Sequence, residues 1–154
     1  MLINQINKSD RYFLEIINIY YKWWSNIQNK KYSNIYEKYI TSLTSSLLPK
    51  IYALIINDTS IGTYSLEEQD NIDNEPYTPY LANVYIKEKY RHQGYSKLLI
   101  EDAKEKTILL GYKDLYLHTK INNYYEKFGF KFLKEVNTPY GNKRIYICHL
   151  KNKN

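Results

Sequence analysis

Residues 80–99 read YLANVYIKEKYRHQGYSKLL, and their order decides the fold. The run from Leu81 to Ile86 is rich in strand formers and gives way to charge at Lys87. A short loop follows, Arg91-His92-Gln93-Gly94-Tyr95-Ser96, and a leucine-containing helix begins at about Tyr95 without a break. A strand, a loop built around one glycine and a helix start in immediate succession form an anion site. The loop amides and the unpaired N–H groups of the first helical turn point one way, and the helix dipole reinforces them. The expected ligand is phosphorylated.

Working outward, the helix runs from Tyr95 to about Leu110 and stops at Gly111, a residue suited to the left-handed position after a helix. Leu115–His118 is a short strand, Asn122–Phe128 a brief helix ended by Gly129, and strands near 130–136 and 144–150 close the chain. Upstream, Ile51–Ile56 and Ile61–Leu66 flank an Asn57-Asp58 turn and read as a hairpin. Ser9-Asp10 is placed to cap a helix to about Gln28, on which Phe13, Ile16, Ile17, Tyr20, Trp24 and Ile27 recur at helical spacing. Trp23 and Trp24 are read as core plugs, with one a candidate for a pocket wall. A second helix, 34–46, carries Ile35, Tyr39, Leu43 and Leu47 at intervals of four, and Pro49 closes it. The element order is ααβββαβαββ: an α/β (α+β) chain with a mixed, mostly antiparallel sheet flanked by helices. Its 154 residues suffice for one domain with a proper core, and no linker or repeat divides them.

The charge is uneven. Residues 1–86 carry 7 Lys/Arg against 9 Asp/Glu, and residues 87–154 carry 15 against 7. Five of the upstream acids cluster as Glu67, Glu68, Asp70, Asp73 and Glu75. A basic half beside an acidic loop suits an anionic cofactor and a cationic substrate. The 19 tyrosines accompany heavy Asn, Ile and Lys usage, so a single tyrosine has little weight without a motif around it. Cys148 is the only cysteine; it lies in a strand and reads as a small packed side chain, and no disulfide can form within the chain. The N-terminal stretch MLINQINKSDRYF lacks the features of a signal peptide, and no apolar run approaches the ~20 residues that span a bilayer. The expectation is a cytoplasmic protein without a membrane partner. The basic half alone does not make a nucleic-acid binder, since no basic-aromatic recognition motif accompanies it.

Two motifs, in order and separated by a helix and a strand, point to one family. Arg91-His92-Gln93-Gly94-Tyr95-Ser96 resembles the Arg/Gln-x-x-Gly-x-Gly/Ala loop of the GNAT superfamily of acetyl-CoA-dependent N-acetyltransferases, in the same strand-to-helix context. Tyr124-Tyr125-Glu126-Lys127-Phe128-Gly129-Phe130 is similar to that family's aromatic-Tyr-Glu-Lys-x-Gly-Phe segment. The resemblance implies that acetyl-CoA is the cosubstrate. Its pantetheine arm would pair with the backbone of Val84 and Ile86, and the amides of His92, Gln93, Gly94, Tyr95 and Ser96 would hold its pyrophosphate. Arg91 and Lys97 would add charge, and Asn122 is a further cofactor candidate. Ser96 departs from the usual Gly or Ala, with a hydroxyl able to donate to phosphate. Tyr125 is implied as the general acid for the departing thiolate, a phenol being a reasonable donor to a thiolate.

The general base stays open at this stage. Many family members place a glutamate where this chain has Tyr80, and Asn83 cannot serve. Glu67, Glu68, Asp70 and Asp73 are the nearest acids, and His118 at the end of its strand is an alternative with suitable intrinsic chemistry. With Tyr80 these acids form the candidate acceptor site. The acceptor is expected to be a primary amine, small-molecule or peptide and cationic, attacked directly in a ternary complex. The other reading is a CoA-binding module of the same fold that does not turn over. No metal is assigned, and a homodimer is consistent with the family.

Overall fold

The computed structural model describes residues 1–28, 31–42, 48–70, 72 and 74–152. In chain order they form β1 (Leu2–Ile6), α1 (Phe13–Gln28), α2 (Tyr32–Ser42), β2 (Lys50–Ile56), β3 (Thr59–Glu67), β4 (Tyr80–Ile86), α3 (Tyr95–Leu109), β5 (Asp114–Thr119), β6 (Lys131–Thr138) and β7 (Gly141–His149). Short 3-10 turns occupy Glu88–Tyr90 and Tyr125–Phe128. One seven-stranded sheet runs in the order β1-β2-β3-β4-β5-β7-β6. Its neighbours are antiparallel except β4 and β5, which run parallel.

Helices cover both faces. On one, α3 buries Leu99, Ile100 and Ala103 against Leu54, Ile61, Leu66, Leu81, Leu115 and Leu117. On the other, Phe13, Ile16, Ile17 and Tyr20 of α1 meet Ile35 and Tyr39 of α2 over Ile51 and Ala53. That second face continues past the helices, where Ile72 and Tyr77 of the β3–β4 loop cover Tyr80, Tyr116 and Ile145. Burial of each such apolar side chain contributes about 1.5–3 kcal/mol, which is why the alternating pattern of the strands is obeyed.

Turn chemistry sets the registers. Asn57 and Asp58 take φ of 47° and 59°, the two left-handed positions of a two-residue hairpin, and leave Ile56 paired with Thr59. Gly62 lets β3 and β4 approach closely: a Cβ there would stand 2.6 Å from Ile86 Cδ1 and 2.9 Å from the Tyr85 carbonyl oxygen.

Four expectations need correction. Leu2–Ile6 is an edge strand paired with β2 from Leu2↔Ile55 to Ile6↔Ile51, so the order gains a strand at its start. Five residues with only three apolar side chains carry too little alternation to announce it. Asp10 does not cap α1 with its side chain. Its carboxylate accepts instead from the Asn7 N–H at 2.7 Å, while its carbonyl receives the Phe13 N–H. Trp23 is 43% exposed rather than a core plug. The segment after Asn122 tightens into a single 3-10 turn, since it is too short to hold α-helical bonds. The expected helical contributions of Leu43 and Leu47, and the end of that helix at Ser46, lie outside the described residues, as does the side chain of Ile27.

Candidate active site

The central feature is a fork in the sheet. Among the described residues, β4 and β5 share a single register pair, Tyr80↔Tyr116, supported by the Tyr116 N–H donating to the Pro79 carbonyl at 3.0 Å. Beyond that pair β5 turns to β7 and β4 to β3. A cavity of about 740 Å³ opens beside the fork on the α3 side. Val84 and Ile86 form its strand wall, and Tyr124, Tyr125 and Phe128 face them from the 3-10 turn.

Its far end is the turn into α3. Arg91, His92, Gly94, Ser96 and Lys97 line it, with Tyr95. Gly94 is the residue before the helix, with φ of 83°, a conformation glycine adopts without strain. A Cβ at Gly94 would meet no protein atom within 4 Å, so the space beside this backbone is open for a ligand. α3 supplies the free N–H groups and positive dipole end that favour an anion here. Arg91 is braced: its Nε donates to the Ile86 carbonyl at 2.9 Å and its guanidinium stands 5.5 Å from the Tyr85 ring centre. The brace ties the loop to the end of β4. Ser96 Oγ lies 2.9 Å from the Tyr124 hydroxyl, so the residue that departs from the loop pattern links the two motifs. Lys104 of α3 donates to the Phe128 carbonyl and fixes the end of the 3-10 turn.

Tyr125 is held edge-on by Tyr124, ring centres 4.9 Å apart, and by Phe130 at 6.0 Å. Burial, then the neighbouring Tyr124, pushes its pKa up to about 12, so its phenol stays protonated through the neutral range. Two expected cofactor residues turn their side chains away from the cavity. The Gln93 side chain donates to the Lys89 carbonyl at 3.4 Å while its backbone N–H stays in the turn, and the exposed Asn122 accepts from Arg144 Nη1.

The opposite face of the fork carries a polar network that the sequence did not reveal. Thr63 pairs with Tyr85 and Ser65 with Ala82, so Tyr64 stands opposite both Asn83 and Val84 in a β-bulge. Asn83 has φ of 55° there, a conformation Asn tolerates better than most residues. Its Oδ1 accepts from Trp24 Nε1 at 2.8 Å, and its Nδ2 donates to Ser65 Oγ at 2.8 Å and to the Tyr39 hydroxyl at 3.1 Å. Tyr39 and Ser65 both donate onward to Glu67 Oε1, at 2.6 and 2.7 Å, and Lys38 Nζ is 3.2 Å from Oε2. Glu67 is therefore a buried, satisfied carboxylate, 2% exposed, that anchors the bulge to α2.

The remaining acceptor candidates are dispersed. Glu68 is exposed on the loop, and Asp73 lies outside the described residues. The Tyr80 ring is buried beside Tyr116, and burial followed by Glu75 and Asp70 raises its pKa. Asp70 is buried, its Oδ2 2.9 Å from His118 Nε2, each side chain 9% exposed; the approach is oblique rather than a straight hydrogen bond. Cys148 is buried in the α3-side core, where burial raises its thiol pKa, which agrees with a packing role. Among the described residues no three His, Cys or carboxylate groups gather as metal ligands, and no helix is long and apolar enough to cross a membrane.

A forked mixed sheet with a glycine turn and the N-terminus of α3 at the mouth of the fork agrees with the acyltransferase class to which the sequence motifs pointed. The acetyltransferase (GNAT) family model matches residues 13–130, and the chain belongs to that family of acetyltransferases. Solved structures agree on the fold at low identity. A GNAT family acetyltransferase from Elizabethkingia anophelis, crystallised with acetyl-CoA bound, is 18% identical with a TM-score of 0.66, over 97% of each chain. An aminoglycoside 6'-acetyltransferase type Ii is 14% identical with a TM-score of 0.68, over 100% of both chains. A ribosomal-protein-alanine N-acetyltransferase from Brucella melitensis is 12% identical with a TM-score of 0.75, over 97% of this chain and 100% of that one. A search of curated proteins found no match.

Proposed function

We propose that residues 1–154 form one N-acetyltransferase domain that moves the acetyl group of acetyl-CoA to a primary amine. The observation that carries this reading is the continuity of one cavity from the fork of β4 and β5 to the N-terminus of α3, with Tyr125 on its wall. Acetyl-CoA fits this site by its chemistry. The gap-side backbone of Val84 and Ile86 suits an extended amide-bearing arm, as in strand addition. The amides from His92 to Ser96 and the helix dipole suit a pyrophosphate, and the empty space beside Gly94 lets it approach. When bound, acetyl-CoA supplies an activated acyl thioester.

Tyr125, protonated at neutral pH, gives its proton to the leaving thiolate. The backbone N–H groups of the β4 bulge stabilise charge that develops on the acetyl oxygen, as oxyanion-hole donors do. The acceptor enters from the face of α1 and α2, where Glu68 and Asp70 favour a cation. Two of the structural neighbours are named for an aminoglycoside and for a ribosomal-protein alanine, both amine acceptors. The test is release of free CoA thiol from acetyl-CoA across a panel of polyamines, aminoglycosides and peptide amines. Acceptor-dependent release is expected; bound acetyl-CoA with no release for any amine would reduce the protein to a CoA-binding module.

A further inference from the structure

Acetylation of an amine near neutral pH needs a group that removes a proton from the incoming ammonium, and the polar network disqualifies the obvious candidates. Glu67 has both carboxylate oxygens engaged, by Tyr39 and Ser65 on one side and Lys38 on the other. Asn83 is no base, and Tyr80 holds its proton more firmly than a free phenol. His92 belongs to the anion-binding turn, and His149 is exposed and paired with Asp114 at 2.7 Å, where β5 begins.

His118 stands elsewhere. His118 lies two residues past Tyr116, just beyond the point where β4 and β5 part, with its ring centre 6.5 Å from that of Tyr80. Leu115 and Leu117 point to the α3-side core, so Tyr116 and His118 face the other way. His118 is thus on the face of the sheet opposite the cavity that holds Tyr125, its side chain 9% exposed beneath the β3–β4 loop. Its Nε2 lies 2.9 Å from Asp70 Oδ2 in an oblique approach; a proton on Nε2 would be drawn to that carboxylate and would leave the Nδ1 lone pair as proton acceptor. The groups around it are Asp70 from the β3–β4 loop, Tyr80 from β4 with ring centres 6.5 Å apart, and Lys143 from β7 with Lys120 beside it.

We propose that His118, oriented by buried Asp70, takes the proton from the acceptor ammonium; this rests on the acetyl-transfer reading above. The proton passes to Nδ1, directly or through one water, and frees the amine lone pair. The amine nitrogen bonds to the acetyl carbon, the C–S bond breaks, and the thiolate takes the Tyr125 proton. The second proton of the attacking nitrogen leaves through water to restore the Tyr125 phenol, while His118 returns its own proton to solvent. Asp70 is a positioning residue, whose carboxylate also stabilises the imidazolium that forms.

The test compares two small acceptors at pH 7.5, ethylamine, which is protonated there, and hydroxylamine, which is already neutral. Thiol release is corrected for the uncatalysed reaction. His118→Gln is expected to lower ethylamine transfer by about 10²–10⁴-fold, the usual worth of general-base catalysis, and hydroxylamine transfer far less. Asp70→Asn should lower ethylamine transfer while leaving hydroxylamine transfer largely unchanged, a split that a merely structural role would not produce. An equal fall with both acceptors, an unchanged ethylamine rate, or a wild type that acetylates hydroxylamine but never ethylamine would overturn the proposal. Acetyl-CoA binding with transfer to neither acceptor and to no amine of the wider panel would instead overturn the acetyl-transfer reading itself. If His118→Gln does not fold, ¹⁵N-histidine spectra of the wild type decide the tautomer: hydrogen on Nε2 supports the proposal, and hydrogen on Nδ1 contradicts it.

Discussion

At the scale of single residues, the site rests on a few groups whose neighbours define their chemistry. Tyr125 is raised to about 12 by burial, so it is a proton donor across the neutral range and its ionisation does not shape activity there. Tyr125→Phe keeps the ring contacts with Tyr124 and Phe130 and removes only the donor. It should lower the transfer rate by about 10²-fold while leaving acetyl-CoA affinity within a factor of two, measured by steady-state kinetics and calorimetry. Gly62 has a steric role. Gly62→Ala would press a methyl group into Ile86 and the Tyr85 carbonyl and should cost about 1–3 kcal/mol in denaturant unfolding. The motif glycine and the motif tyrosine were legible because their chemistry is local to a short stretch. Gly62 was not, because its constraint comes from β4, some twenty residues away.

At the scale of elements, the β4 bulge joins the two faces of the fork. Asn83 receives Trp24 of α1 and reaches Tyr39 of α2 and Ser65 of β3, so one amide sets the bulge against three elements. Asn83→Ala leaves the Trp24 and Ser65 groups without this partner and should destabilise the fold by about 1–3 kcal/mol, read from chemical denaturation. The same variant should weaken acetyl-CoA binding, because the bulge sets the direction of the neighbouring Val84 amide. The strands, the α3 boundaries and the Asn57-Asp58 hairpin were legible from alternation, periodicity and turn residues. Edge strand β1 and the bulge were not: the first is short and mostly polar, and the second is a register irregularity without a residue signature. The pairing of Asp70 with His118 was hidden for a related reason, since a loop and a strand end forty-eight positions apart meet only once the sheet is formed.

At the scale of the whole molecule, the chain buries many of its tyrosines, and this gives it a characteristic alkaline weakness. Burial raises Tyr52 and Tyr125 to about 12, and Tyr20 and Tyr64 further still. These phenols ionise near 10 when unfolded, so between about pH 10 and 12 the unfolded chain releases protons that the folded chain keeps. Their contribution is full below about pH 10 and is lost as pH rises through the folded values. Thermal unfolding followed by circular dichroism should show a flat midpoint from pH 7 to 9 and a steep fall above 10; a midpoint still flat at pH 11 would contradict the burial of these hydroxyls. The charge asymmetry seen in the sequence has its counterpart in the structure: basic groups line the turn into α3, and the loop that carries the acids lies over Tyr80, Tyr116 and Ile145 on the other face of the sheet. The central claim, that the cavity between the β4–β5 fork and the α3 turn binds acetyl-CoA, has a direct calorimetric test with wild type and Gly94→Glu. The account predicts micromolar one-to-one binding by the wild type and its loss in the variant, which stays folded with a thermal midpoint lowered by about a few degrees because a side chain at φ of 83° is strained. Wild-type protein that binds no acetyl-CoA at high micromolar concentration, or a variant that binds it equally well, would contradict it.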